Sequence, residues 1–514
     1  MSAKKEFGDF QTPLPLAKEI IGLVDSLVGK PARVVEPTAG LGVFLEAAEE
    51  KWGSDPAYKG YELNTTYARE ANSRLSARGI AIEQQDFFET DWRSILSSAD
   101  SEKVLVVGNP PWVTNAELGS LGSRNLPKKT NFQGLRGFEA KTGKANFDIA
   151  EWMLIRLIEA LPSSGAMAML CKTMTARKVL RYFWKIDGGR EQASLFLIDA
   201  KKQFDVSVDA CLFFLRGRCC NERTATVYAT LDAHKKLSEF GFVDGNLVSD
   251  ISNYKALRDL DGGSPYTWRS GLKHDAADIM ELTVEHGHYV NGLDQTVDIE
   301  SNYVFPLLKS SDIGNGRTIP RKFVLVTQRS TGEDTSVIRD VAPKTWAYLE
   351  AHADKLDARR SSIYQNRPRF SIFGIGAYSF APWKVAISGL YNTFRFVVVS
   401  PEAERPVMLD DTCYFIPCGS KKEAYLIADL LNSDTSQRFL RSLVFPDSKR
   451  PITTDVLRRL SLVALACHLG RLEELTPYVK QSTAYRDAGE IQLQLVMEQG
   501  KEYRTCPPDS HRAQ

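Results

Sequence analysis

The chain is 514 residues long and close to charge balance at +1, with 43% hydrophobic and 25% charged residues. That is ordinary globular sequence for two or three domains, which excludes a disordered, collagenous or polyelectrolyte protein. No run of 18 uncharged apolar residues occurs and the start lacks a signal-peptide core, so a cytoplasmic protein with no membrane partner is expected. Its eight cysteines show no ligand-type spacing, so reduced thiols and no metal site are expected.

From residue 33 to 215, short apolar runs alternate with amphipathic stretches. The runs are Arg33–Val35, Tyr58–Glu62, Ala81–Gln85, Val104–Val107, Ala166–Leu170, Leu195–Ile198 and Ala210–Leu215. Helical periodicity marks Phe44–Lys51, Tyr67–Arg78 and Ile149–Leu161. This rhythm predicts a Rossmann-like, doubly wound, mainly parallel α/β sheet, whose ligands bind at the carboxyl edge.

The first run leads into Val34-Val-Glu-Pro-Thr-Ala-Gly-Leu-Gly-Val-Phe-Leu45, an acidic strand end followed by a Gly-x-Gly turn. Gly40 and Gly42 let the backbone approach a ligand closely. Glu36 would repel a pyrophosphate but can accept hydrogen bonds from the ammonium of an amino-acid moiety. Glu62 and Asp86 end the next two strands. They can bond ribose hydroxyls and an adenine amino group respectively, with Phe87 over the adenine face.

The fourth run passes through Gly108 into Asn109-Pro110-Pro111-Trp112. By background composition, Asn-Pro-Pro-aromatic arises by accident in roughly one chain in two hundred of this length. The prolines fix φ near about −65° and remove backbone donors, leaving acceptor carbonyls in a rigid array. The Asn109 amide oxygen and the Pro110 carbonyl can accept both hydrogens of one amino group. This favours the pyramidal nitrogen whose lone pair attacks a sulfonium methyl, while Trp112 stacks on the ring.

With these motifs in this order, the chain resembles the γ-group adenine-N6 DNA methyltransferases that use S-adenosylmethionine. The α/β rhythm is lost after about Arg218, which puts a domain boundary at roughly 220 to 250, and the chain turns polar from Glu498. With the resemblance this gives a catalytic domain over residues 1–220, a C-terminal α+β target-recognition (DNA-binding) domain over 221–497, and a polar tail over 498–514. The resemblance implies a cofactor pocket lined by Thr12, Pro13, Glu36, Thr38, Gly40, Gly42, Glu62, Leu63, Asp86, Phe87 and Asn109. Thr12-Pro13 match the N-terminal segment that closes over the methionine part. Phe204 matches the second aromatic stacked on the extruded base. Two departures are Trp112 for the commoner tyrosine and Thr38 for a frequent alanine.

A base inside a duplex is unreachable, so double-stranded DNA as substrate demands base flipping and phosphate contacts. Lys128, Lys129 and Arg136 lie in a basic, Gly-rich stretch just after the catalytic motif. Basic and aromatic residues interleave over residues 355–396, placing DNA contacts at Arg359, Arg360, Arg367, Arg369, Lys384 and Arg395. Lys449 and Arg450 are further phosphate candidates. N4-cytosine in DNA, RNA and protein glutamine are alternative acceptors for the same motif, and a non-catalytic DNA-binding subunit is the reading from another class. A fused N-terminal nuclease is not expected, whereas a separately encoded restriction nuclease stays open as a partner.

Overall fold

The alternating pattern builds one ten-stranded sheet. The computed structural model describes residues 10–97, 102–112, 148–186, 192–217, 222–445 and 450–479. These fall into two compact units, Met1–Ser252 and Asn253–Gln514. In the first, β1 (Arg33–Glu36), β2 (Ala57–Glu62), β3 (Ile80–Gln84), β4 (Val104–Gly108), β5 (Ala166–Lys172), β6 (Gln192–Ile198) and β7 (Ala210–Arg216) take the order β3-β2-β1-β4-β5-β7-β6. Pairing is parallel from β3 to β5, and β7 is antiparallel to both its neighbours.

Every residue of β4 is buried, as a central strand covered on both faces requires. The covering helices are α1 (Leu14–Val28), α2 (Val43–Trp52), α3 (Thr65–Leu75), α4 (Trp92–Leu96), α5 (Ile149–Ala160), α6 (Thr173–Ile186) and α7 (Ala200–Phe204). After β1 the chain winds outward to β2 and β3, then returns to β4 on the other side of β1. That reversal is the topological switch point, and it sets the carboxyl ends of β1 and β4 side by side.

The sheet does not stop where the apolar rhythm fades. Strands β8 (Thr224–Tyr228), β9 (Lys236–Val243) and β10 (Asn246–Val248) extend it beyond β6, so the first unit runs past residue 220 to Ser252. β8 and β9 pair antiparallel and carry mostly half-exposed side chains, which is why no apolar run announces them.

The second unit holds a six-stranded sheet and a four-stranded sheet, with helices that include Lys421–Asn432 and Asp434–Leu443. In the smaller sheet, Trp383–Ser388 runs between Cys413–Cys418 and Val397–Val399, with five of its six residues buried. Cys171, Cys211, Cys413 and Cys418 are buried and free, whereas Cys467 is disulfide-bonded, against the expectation of reduced thiols throughout. Among the described residues no helix is long and apolar enough to cross a membrane, and no His, Cys, Asp and Glu group could hold a metal ion.

Candidate active site

The turn after β1 is shaped by what a side chain there would strike. Gly40 and Gly42 both have positive φ, 52° and 74°, and a Cβ on Gly42 would stand 2.7 Å from Cδ1 of Leu75. The Gly40 amide donates to Oε2 of Glu62 at 2.7 Å, and the Asn64 amide donates to Oε1 at 2.7 Å. Glu62 therefore ties the glycine turn to the end of β2.

Glu36 closes β1 and is 2% exposed. Burial pushes its carboxyl well above the usual range, outweighing the Leu45 and Phe44 amides that favour the ionised form. Its Oε2 is buried without a hydrogen-bond partner among the described residues. An unpaired buried carboxylate oxygen is costly, and a ligand ammonium would satisfy it.

Asp86 accepts from the Phe88 amide at 2.8 Å. Phe87 is buried, its ring centroid 4.8 Å from that of Trp92, and it packs among Phe88 and Trp92. Leu63 stands 40% exposed just past the end of β2.

Asn109 follows β4. Its Nδ2 donates to the Phe10 carbonyl at 2.8 Å and to Oγ1 of Thr12 at 3.3 Å, which binds the N-terminal segment to the catalytic motif. Thr38 reaches the Asn109 carbonyl at 3.5 Å, the outer limit of a hydrogen bond. With Nδ2 so engaged, Oδ1 of Asn109 is left as a buried acceptor without a partner among the described residues. The indole nitrogen of Trp112 is likewise buried and has no partner among the described residues.

Trp112 and Phe204 meet edge to face, with ring centroids 5.3 Å apart. Phe10 completes an aromatic triad with them, 5.8 Å from Trp112 and 6.3 Å from Phe204. The sequence pattern assigns stacking roles to Trp112 and Phe204 but none to Phe10, which carries no motif beyond its place before Gln11-Thr12-Pro13.

The basic candidates divide. Lys128, Lys129, Arg136 and Lys449 lie outside the described residues. Arg360, Arg367, Arg395 and Arg450 are exposed. Arg369 is exposed but ion-paired with Asp357 and Glu350, and Arg359 is half-buried and bonded to the carbonyls of Leu356, His274 and Ser371. The Arg359 guanidinium braces the fold, whereas Arg369 keeps a surface ion pair.

Lys384 is a correction. It is 1% exposed, its ammonium donating to the Ala381 carbonyl at 2.8 Å, because it sits on the buried strand Trp383–Ser388 and cannot reach a phosphate. Burial pulls its pKa down to about 7. A depressed lysine pKa costs stability most below about pH 7, where the native state must carry the charge, and the penalty fades as pH rises toward the unfolded value. Lys384→Met is therefore expected to raise the melting temperature at pH 6 by a few degrees, on the order of 1 kcal/mol, with less gain at pH 9. DNA affinity and its salt slope should not change. Weaker DNA binding without a stability gain would restore Lys384 to the interface.

No family model matches the chain. It is 43% identical over 470 residues to the type II methyltransferase M.NspV of a Nostoc species, covering 90% of this chain and 98% of the relative. A second relative, the type II methyltransferase M.XamI of Xanthomonas campestris, is 30% identical over 112 residues, 22% of this chain and 21% of the relative. Among solved structures, the type IIL restriction-modification enzyme MmeI in complex with DNA aligns with a TM-score of 0.45 at 14% identity, over 86% of this chain and 64% of that one. Near-complete coverage of the Nostoc relative, together with the glycine turn below Glu36 and the acceptor left open on Asn109, has one meaning: the chain belongs to the type II DNA methyltransferases.

Proposed function

We propose that the enzyme transfers a methyl group from S-adenosylmethionine to the exocyclic N6 of an adenine extruded from double-stranded DNA. The observation that carries this is Oδ1 of Asn109, a buried acceptor in a rigid Asn-Pro-Pro segment with no partner among the described residues. The chain's residues fit the cofactor. The open Oε2 of Glu36 suits its ammonium. Glu62 and Asp86 are assigned to its ribose and its adenine amino group by the family resemblance, as carboxylates that can accept further hydrogen bonds beside the backbone amides they already hold. When bound, the cofactor supplies an electrophilic sulfonium methyl.

The protein supplies orientation. Asn109 Oδ1 and the Pro110 carbonyl take the two amino hydrogens and turn the nitrogen lone pair toward the methyl. Trp112 and Phe204 now touch edge to face, so admitting a base requires the rings to turn and part, a role suited to flat aromatic faces. Target recognition is placed in the second unit, with exposed Arg360, Arg367 and Arg395 as contacts. A separately encoded nuclease reading the same sequence would complete a restriction-modification pair.

The base assignment is tested by transferring labelled methyl to unmethylated DNA and digesting it to nucleosides. All label is expected in N6-methyladenine. Label in N4-methylcytosine would overturn the base assignment alone, and no label in DNA would overturn the acceptor as well.

A further inference from the structure

Strand β5 ends on a residue to which neither the cofactor nor the catalytic motif assigns a task. Parallel pairing sets Gly108 of β4 opposite Met169 of β5, so Lys172, at the end of β5, comes level with the end of the catalytic segment. Its Nζ donates to the Trp112 carbonyl at 2.9 Å and to Oδ2 of Asp148 at 2.9 Å. Asp148 is 6% exposed, and its other oxygen caps α5 by accepting from the Ala150 amide at 3.2 Å. One ammonium therefore joins the last residue of Asn-Pro-Pro-Trp to the first turn of α5.

The consequence for the acceptors is geometric. At one end of the segment, Nδ2 of Asn109 is tied to Phe10 and Thr12. At the other end, the Trp112 carbonyl is tied to Lys172. Between the two tethers lie two prolines with little freedom of their own. Oδ1 of Asn109 and the Pro110 carbonyl thus stand in a span anchored at both ends, and the Trp112 indole hangs from the second anchor.

We propose that Lys172 is a positioning residue for methyl transfer: through the Trp112 carbonyl it holds the amine acceptors and the stacking indole in their productive arrangement, with Asp148 fixing the ammonium in turn. The proposal rests on the methyl-transfer reading but not on which base is methylated.

The test measures total methyl transfer to unmethylated genomic DNA, cofactor dissociation constant and melting temperature for wild type, Lys172→Met, Lys172→Arg and Asp148→Asn. Asparagine preserves the cap on α5 while removing the charge, so it guards against a methionine variant that fails to fold. The expected result is a fall in kcat of about tenfold to a hundredfold for Lys172→Met, a smaller fall for Asp148→Asn, and substantial recovery in Lys172→Arg. Cofactor affinity is expected to stay within about twofold, because neither tether partner lies among the cofactor residues. Wild-type kcat in both Lys172→Met and Asp148→Asn would overturn the proposal. So would activity lost only in step with melting temperature and cofactor affinity, the mark of a purely structural lysine. A wild-type enzyme that transfers nothing to DNA would instead remove the reading on which it rests.

Discussion

Asn109→Ala is expected to lower kcat for methyl transfer by at least about 100-fold, since one preorganised hydrogen-bonding group at the reacting centre is worth roughly 2.7 kcal/mol or more. Two losses combine. The open Oδ1 acceptor disappears, and so do the Nδ2 bonds to Phe10 and Thr12 that hold the N-terminal segment against the motif. Asn109→Asp separates them. It keeps an acceptor but turns a carboxylate oxygen toward the Phe10 carbonyl, where the amide now donates. Activity in Asn109→Asp should fall nearly as far as in the alanine variant, with weaker cofactor binding from the loosened segment. Single-turnover rates with cofactor titrations distinguish the cases. Near-normal turnover in Asn109→Asp would show the Nδ2 tether to be dispensable.

Glu36→Gln should weaken cofactor binding and stabilise the free protein at the same time. For binding, a charged hydrogen bond to the ligand ammonium is lost, about 2–3 kcal/mol or on the order of 100-fold in affinity. For stability, burial raises the folded pKa of Glu36 well above its unfolded value. A carboxyl so raised contributes stability that is fully present below the unfolded pKa and is lost as pH rises through the folded one. At neutral pH the free wild type therefore carries a burial penalty that glutamine removes.

The gain in melting temperature should shrink as pH falls toward 4, where protonated glutamate and glutamine are nearly equivalent. Wild-type cofactor affinity should decline as pH falls through the raised pKa, while the glutamine variant stays weak and flat. Calorimetry across pH, with and without cofactor, checks both. An unchanged or lower melting temperature in free Glu36→Gln at pH 7 would show that the buried carboxylate is compensated.

The parts of the fold legible in sequence are those fixed by short-range chemistry. Central strands such as β4 read as continuous apolar runs because both faces are covered, and the Gly40–Gly42 turn is dictated by backbone conformation. Asn109-Pro110-Pro111-Trp112 announces itself because its rigidity is local. By contrast, β8 to β10 are half-exposed and escaped notice.

Within the basic and aromatic stretch at residues 355–396, composition misplaces Lys384 in a specific way. Its composition suits nucleic acid, but whether a lysine faces a phosphate or the core depends on strand position and tertiary packing. Lys384 sits on a strand flanked on both sides, and Arg359 and Arg369 found carbonyl and carboxylate partners within the fold. Lys172 was invisible for a related reason. Its partners, Trp112 and Asp148, are distant in sequence and meet it only because β4 and β5 are neighbours.

The central claim, that the site built on Asn109 methylates adenine in duplex DNA, is tested most directly by one mapping experiment. Purified wild type and Asn109→Ala are incubated with S-adenosylmethionine and unmethylated genomic DNA, and modified bases are located by single-molecule sequencing. N6-methyladenine at one short motif with wild type, and none with Asn109→Ala, is the predicted result. Modification of another base, or equal modification by both proteins, would contradict it.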